Sequence, residues 1–208
     1  MSGAGQINRL AGSFLLLLLS VAVPARAATP EQVEEAINKG KKYLYSKLNG
    51  DNWELAGARD DNKGQASAFG GQWGGPTAIA LYALLASGED PLSPKLAPAI
   101  KWLKKADIIG AYAISIRCQV WLLLPRTPET RKLAQDDLDR LHHCFNTAGR
   151  GKFLYTYRIT KHEPNMVDHS VSQFGVLATW AGVQMGLEIP ISYWDDVDAR
   201  WTYDQQPD

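Results

Sequence analysis

Thr77–Gly88 (TAIALYALLASG) and Phe174–Gly186 (FGVLATWAGVQMG) are two versions of one segment. Each is an alanine-studded apolar helix that carries an aromatic residue and stops at glycine. Tyr82 matches Trp180, Ala83 matches Ala181 and Gly88 matches Gly186. The flanking helices share a second pattern, a small or apolar residue seven positions ahead of a hydrophobic anchor: Ile37 to Leu44, Leu96 to Leu103, Ala134 to Leu141 and Trp194 to Trp201. The anchor spacing fits a helical-hairpin unit of roughly 40 residues interrupted by two long insertions. No hairpin in such an array buries its apolar face alone, so function is expected in the insertions and along one lined face. The fold class this predicts is all-α.

Helix starts are legible from their caps. Thr29-Pro30, Ser93-Pro94 and Thr127-Pro128 each place a hydroxyl before a proline at the first helical position, where the missing N–H costs nothing. Thr29 with Gln32, and Ser170 with Gln173, have capping-box spacing. Gly88 and Gly186 stand where left-handed C-terminal caps are needed. Seven helices are predicted over 30–48, 75–87, 94–106, 112–124, 128–146, 170–185 and 190–203, giving three hairpins and one further helix. The first insertion, 49–74, is rich in glycine and polar residues and carries Trp53, Phe69 and Trp73. The second, 149–168, contains the alternating run Lys152–Ile159, read as a strand-like stretch with Phe153, Tyr155, Tyr157 and Ile159 on one side.

Residues 1–27 read as a secretory signal: Arg9 in a short polar start, an apolar core over Leu10–Val23, and Ala25-Arg26-Ala27 as a small-x-small cleavage site. That core is shorter than the roughly 20 residues of a membrane span, and no later stretch is longer, so no integral span is expected after cleavage. Residues 28–208 then form one domain, destined for secretion or the periplasm. The formal net charge of the whole chain is zero and no basic stripe is visible, which argues against a nucleic-acid partner. Seven tryptophans exceed what a minimal core needs, so some are expected to line a surface or cavity. Cys118 and Cys144, on antiparallel helices joined at Pro125–Pro128, fall about 14 Å apart along the helix axis at 1.5 Å per residue. That exceeds the Cα separation of about 7 Å a disulfide tolerates, so two free, mostly buried thiols are expected.

These residues resemble the prenyltransferase and squalene-oxidase repeat family, the α/α toroid of squalene-hopene-type cyclases and protein prenyltransferase beta subunits, and most closely its exported bacterial members. The resemblance rests on Ala36–Trp53, Pro76–Gly88, Gly151–Tyr157, Asp168–Leu177 and the broken end Gln205–Asp208, and covers most of residues 28–208. It implies a barrel of inner and outer helices, of which this chain would supply roughly half. The first repeat runs from Tyr43-Leu44 through Gly50 to Trp53, whereas the last runs from Arg200-Trp201 and stops where the glycine and Trp would fall, like an interrupted repeat.

The cyclases of that fold protonate an alkene with an Asp-x-Asp-Asp acid, which this chain lacks. Asp60-Asp61, Asp136-Asp137-Leu138-Asp139 and Asp195-Asp196-Val197-Asp198 come nearest, and the latter two read as solvated helix faces. The beta subunits bind zinc through Asp, Cys and His. His142-His143-Cys144, His162 and Asp168-His169 offer such groups, but helix-end histidines suited to the negative end of the dipole account for the first set, and neither a metal nor a cofactor is expected. Asp168-His169-Ser170-x-x-Gln173 is both the best functional candidate and a capping signature, with Ser170 as the cap. The candidate ligand site therefore groups Tyr155, Tyr157, Asp168, His169 and Gln173 at one rim, with Trp73 across from them.

The expected function is an exported binding or scaffolding module without catalysis of its own; the ligand is unidentified, with hydrophobic ones among the options. The alternative is a terpenoid cyclase or prenyl-group transferase relative whose catalytic residues lie in a missing half. The edge carrying Trp194, Trp201 and Tyr203 has no polar cap, so self-association or further hairpins are expected.

Overall fold

The computed structural model describes residues 27–55, 72–159 and 166–205. Residues 1–26, and with them most of the expected signal, as well as Asp60-Asp61, Phe69 and His162, lie outside the described residues. The described residues hold seven helices: α1 (Pro30–Ser46), α2 (Gly75–Ala86), α3 (Ala97–Lys105), α4 (Ala111–Leu123), α5 (Pro128–His142), α6 (His169–Gln184) and α7 (Ile191–Asp204). There is no strand among them, only isolated bridges, so the fold is all-α. Both thiols are free and buried.

The helices sort by composition. α2, α4 and α6 are rich in alanine and large apolar residues almost all round, and helices of that kind must be buried on several sides. α4 lies between the other two, with α2 on one flank and α6 on the other. α3 and α5 are amphipathic and form a second layer: α3 packs on α2, and α5 on both α4 and α6. α5 turns Ala134, Leu138 and Leu141 inward. α1 has no buried residue and touches the body through α2, where Tyr45 Oη donates to Glu89 (2.9 Å) and Lys41 pairs with the same carboxylate (3.2 Å).

The caps follow the sequence at both ends of the array. Thr29 and Gln32 form a reciprocal capping box on α1, and Thr127 with Thr130 forms one on α5. Gly88 (φ +89°) and Gly186 (φ +81°) end α2 and α6 in the same way, with the following residue's N–H reaching back to Leu84 O and Gly182 O respectively, each at 3.0 Å. These are two copies of one left-handed termination, as expected from the matched segments.

Three local expectations are corrected. α3 begins at Ala97, because Pro94–Leu96 form a turn closed by Leu96 N–H and Ala97 N–H on Ser93 O (3.0 and 3.1 Å). α5 ends at His142, because the backbone of Asn146 is taken by Leu154 O and Phe153 N–H (2.9 and 2.7 Å). The run Lys152–Ile159 is not a one-sided strand. Phe153 is left-handed (φ +67°), and Leu154, Tyr155, Thr156, Tyr157 and Arg158 are all buried, so the segment is surrounded rather than laid on a surface.

The Asp136–Asp139 run is also not wholly solvated. Asp136 and Asp139 face water, but Asp137 is buried. Its Oδ2 accepts from Arg117 Nε and from Trp121 Nε1, both at 2.8 Å, and its Oδ1 accepts from Arg117 Nη2. Arg117 Nη1 also donates to Ala106 O (2.6 Å) and Leu103 O (3.3 Å). This network ties α4 to α5 and to the end of α3 inside an apolar core. In Asp195–Asp198 only Val197 is buried, so that run is a solvated face as expected.

Candidate functional site

The first turns of α2, α4 and α6 each leave free N–H groups, and each receives an acceptor from elsewhere in the chain. At α2, Glu54 accepts from Gly74 N–H (2.9 Å), Thr77 N–H (3.1 Å) and the Thr77 hydroxyl (2.7 Å). At α4, Gln72 Oε1 accepts from Ala113 N–H (3.2 Å), while its Nε2 donates to Tyr157 O (3.2 Å). At α6, Asp168 Oδ1 accepts from Val171 N–H (2.7 Å), so Asp168 is the cap. Ser170, expected to cap, lies two residues later, inside the first turn; its Oγ instead accepts from Tyr112 Oη (2.8 Å). Gln173 points to solvent without reciprocating.

The six candidate residues separate. Tyr157 Oη donates to Asp168 Oδ2, and the Tyr157 ring lies beside Tyr112 (centroids 6.1 Å apart), so these two do meet at one rim. Burial, then the Asp168 carboxylate, holds the Tyr157 phenol well above its ordinary value. His169 turns away to α7, where Nε2 meets Asp204 Oδ2 at 2.6 Å and the ring edge meets Trp201. Tyr155 is not at the rim. It is fully buried, with Oη 2.8 Å from Tyr193 Oη and its N–H on Ser172 Oγ (2.9 Å). Trp73 stacks at a tilt on Trp102 of α3, ring centroids 5.0 Å apart. Its aromatic partner is thus on the α3 side and not among the rim residues. Trp53 packs the first insertion on the helices, its indole N–H donating to Leu44 O (2.7 Å).

The groups weighed for zinc are also dispersed. His143 Nδ1 lies 2.7 Å from Asp139 O, and the half-buried His142 ring packs on Tyr193. Burial lowers the His142 pKa and pushes the Cys144 thiol up to about 12, which opposes the thiolate a metal would need. Among the described residues no three His, Cys, Asp or Glu side chains stand close enough to share an ion.

The more extensive feature was not singled out from the sequence. On α4, Tyr112, Ile116, Gln119 and Leu123 form a stripe at helical spacing that is only partly covered, although both flanks of the helix are packed. The stripe continues onto α6: Tyr112 meets Phe174 edge-on (5.1 Å), and Gln119 Nε2 donates to Leu177 O (2.9 Å). Leu177 and Trp180 there are 44% and 49% exposed. The register that matches Tyr82 with Trp180 matches Ile79 with Leu177, and on α2 these residues are 39% and 53% exposed. The signal was in the sequence: the repeat match that revealed the hairpins places aromatics and aliphatics at the same uncovered positions.

No protein-family model, curated protein or solved structure matches this chain.

Proposed function

We propose that residues 28–208 are an exported, non-catalytic binding module, and that its ligand is an apolar molecule held along the uncovered side of α2, α4 and α6. The observation that carries this reading is the set of exposed Ile79, Tyr82, Leu177 and Trp180 on the helices flanking the partly covered Ile116 of α4. Single exposed apolar residues are ordinary, but a contiguous set on one side of a packed layer marks an interaction surface. Gln119 in the middle of the row supplies one polar atom for orientation, a composition common in ligand sites. The two-layer hairpin order supports the resemblance to half of an α/α toroid, whose inner helices would be α2, α4 and α6. Residues 1–27 direct export in this reading.

The test is titration with the neutral fluorophore N-phenyl-1-naphthylamine. Leu177→Glu and Trp180→Ala should each weaken binding about tenfold, the equivalent of about 1.4 kcal/mol, with thermal midpoints kept near that of the parent. Unchanged binding in both variants would remove the reading. Product formed from squalene or a prenyl diphosphate would favour the enzymatic alternative. The same reading has the chain associating with itself or with further hairpins through the edge of α7, where Ile191 and Tyr203 are 74% and 82% exposed. A monodisperse monomer in light scattering at high concentration would count against that association.

A further inference from the structure

A second concavity, away from the α2–α4–α6 row, lies along α3. It is a cleft of about 820 Å³, within the range of small-molecule sites. Its apolar wall is Trp73, Trp102, Pro94 and Pro98. The two indoles are half-buried and tilted 60° to each other, and both line the cleft. Both are fixed: Trp102 by its place on α3, Trp73 by following Gln72, which spans α4 and the Tyr157 backbone.

The polar wall is asymmetric. Lys101 and Lys105 stand one turn apart on the same face of α3, both exposed, and neither makes an ion pair among the described residues. Like charges at this spacing repel each other mildly. The neighbouring cations are engaged, Lys104 with Glu129 (2.8 Å) and Arg140 with Asp107 (2.8 Å). Of the two carboxylates on the cleft, Asp107 is therefore neutralised by Arg140, and Asp51 accepts from Asn52 Nδ2 (3.0 Å). Asn52 is neutral, so Asp51 keeps its charge, and the unpaired Lys101 and Lys105 outweigh it by one positive charge beside the indole and proline wall.

We propose that this cleft binds amphiphilic anions, an aromatic or aliphatic body lying against Trp73, Trp102, Pro94 and Pro98 while its carboxylate or sulfonate head bridges Lys101 and Lys105. Charge complementarity selects the head, and the rigid indole pair selects a body with a flat or extended apolar face. Nothing in this proposal depends on the apolar row of α2, α4 and α6 being a site.

The probe is 8-anilinonaphthalene-1-sulfonate, compared with its uncharged analogue N-phenyl-1-naphthylamine. The sulfonate should bind at one saturable site and weaken as salt is raised. Lys101→Gln with Lys105→Gln should weaken it about tenfold and remove most of the salt dependence, leaving the neutral analogue unaffected. Trp102→Ala should lose sulfonate binding, whereas Trp180→Ala should retain it. The lysine positions are exposed, so that double variant keeps the test valid if Trp102→Ala is poorly folded. Sulfonate binding equal in parent and lysine double variant, or lost equally in Trp180→Ala, would overturn the proposal. The second outcome would assign the probe to the α2–α4–α6 row instead. If the row fails its own test while the lysine dependence holds, the cleft stands alone.

Discussion

Asp137 of α5 receives Arg117 of α4 side-on, through Nε and Nη2, within the core, both side chains being about 5% exposed or less. Its carboxylate takes two guanidinium N–H groups and the Trp121 indole N–H, while the remaining guanidinium nitrogen donates to two carbonyls at the end of α3. Burying either charge alone is unfavourable, so the pair is held by completeness of its hydrogen bonds rather than by Coulomb attraction alone. Asp137→Ala should destabilise the fold by about 3–5 kcal/mol, since it leaves a buried guanidinium and an indole N–H unmatched. Arg117→Met with Asp137→Leu should recover a large part of that loss. Urea unfolding of the parent and the two variants measures both, and a double variant no more stable than Asp137→Ala would contradict the coupling.

Gly182 of α6 lies so close to α5 that an added Cβ would stand 2.3 Å from Leu138 Cδ1 and 3.3 Å from Leu187 Cδ1. Alanine would improve helix propensity by about 1 kcal/mol but must displace a fully buried leucine, which costs about 1–3 kcal/mol. Gly182→Ala should therefore lose up to about 2 kcal/mol net. Combined with Leu138→Ala, it should cost less than the sum of the single changes, read from thermal midpoints in a double-mutant cycle.

The cap of α6 separates the two readings of Asp168–Gln173. Asp168→Ala should cost about 1 kcal/mol, within the range of cap losses, and also removes the carboxylate that accepts from the Tyr157 hydroxyl. Ser170→Ala loses only an exposed bond to Tyr112 and should cost less than about 0.5 kcal/mol. Equal losses in chemical denaturation would restore Ser170 as the cap.

The attachment of α1 should be sensitive to pH at both extremes. Burial, then the hydrogen bond to Glu89, raises Tyr45 from 10.0 to about 12. The protonated phenol is thus favoured by folding, and its contribution is whole below pH 10 and lost as pH rises through about 12. Glu89 is held below its ordinary 4.5, first by the Tyr45 hydroxyl and, against some desolvation, by Lys41 and Lys95. Its contribution is present above that value and lost as pH falls below it. Tyr45→Phe should flatten both slopes of stability against pH, measured as denaturation midpoints. Slopes unchanged by the substitution would place the titration elsewhere.

What the sequence determined by itself was local. Thr29, Thr127, Gly88 and Gly186 act within one helical turn of their partners, so spacing alone was enough to date those ends. The number of helices and the two free thiols followed from periodicity and rise per residue. Asp168 and Ser170 both satisfied the rules for a cap, and only the path of the preceding loop, fixed by Tyr157 and the Thr156–Val167 bridge, decided between them. Tyr155 looked like a rim residue because its insertion, 149–168, runs directly into the capped start of α6; the segment is instead enclosed by α6 and α7, and Gly175 leaves room for its ring. Asp136, Asp137 and Asp139 were alike as a string of carboxylates. One of them is core because Arg117, the single charge in α4, approaches from another helix. The tertiary structure decided wherever burial depended on a partner distant in the chain, since desolvation is set by all neighbours in space and a sequence window contains only those along the chain.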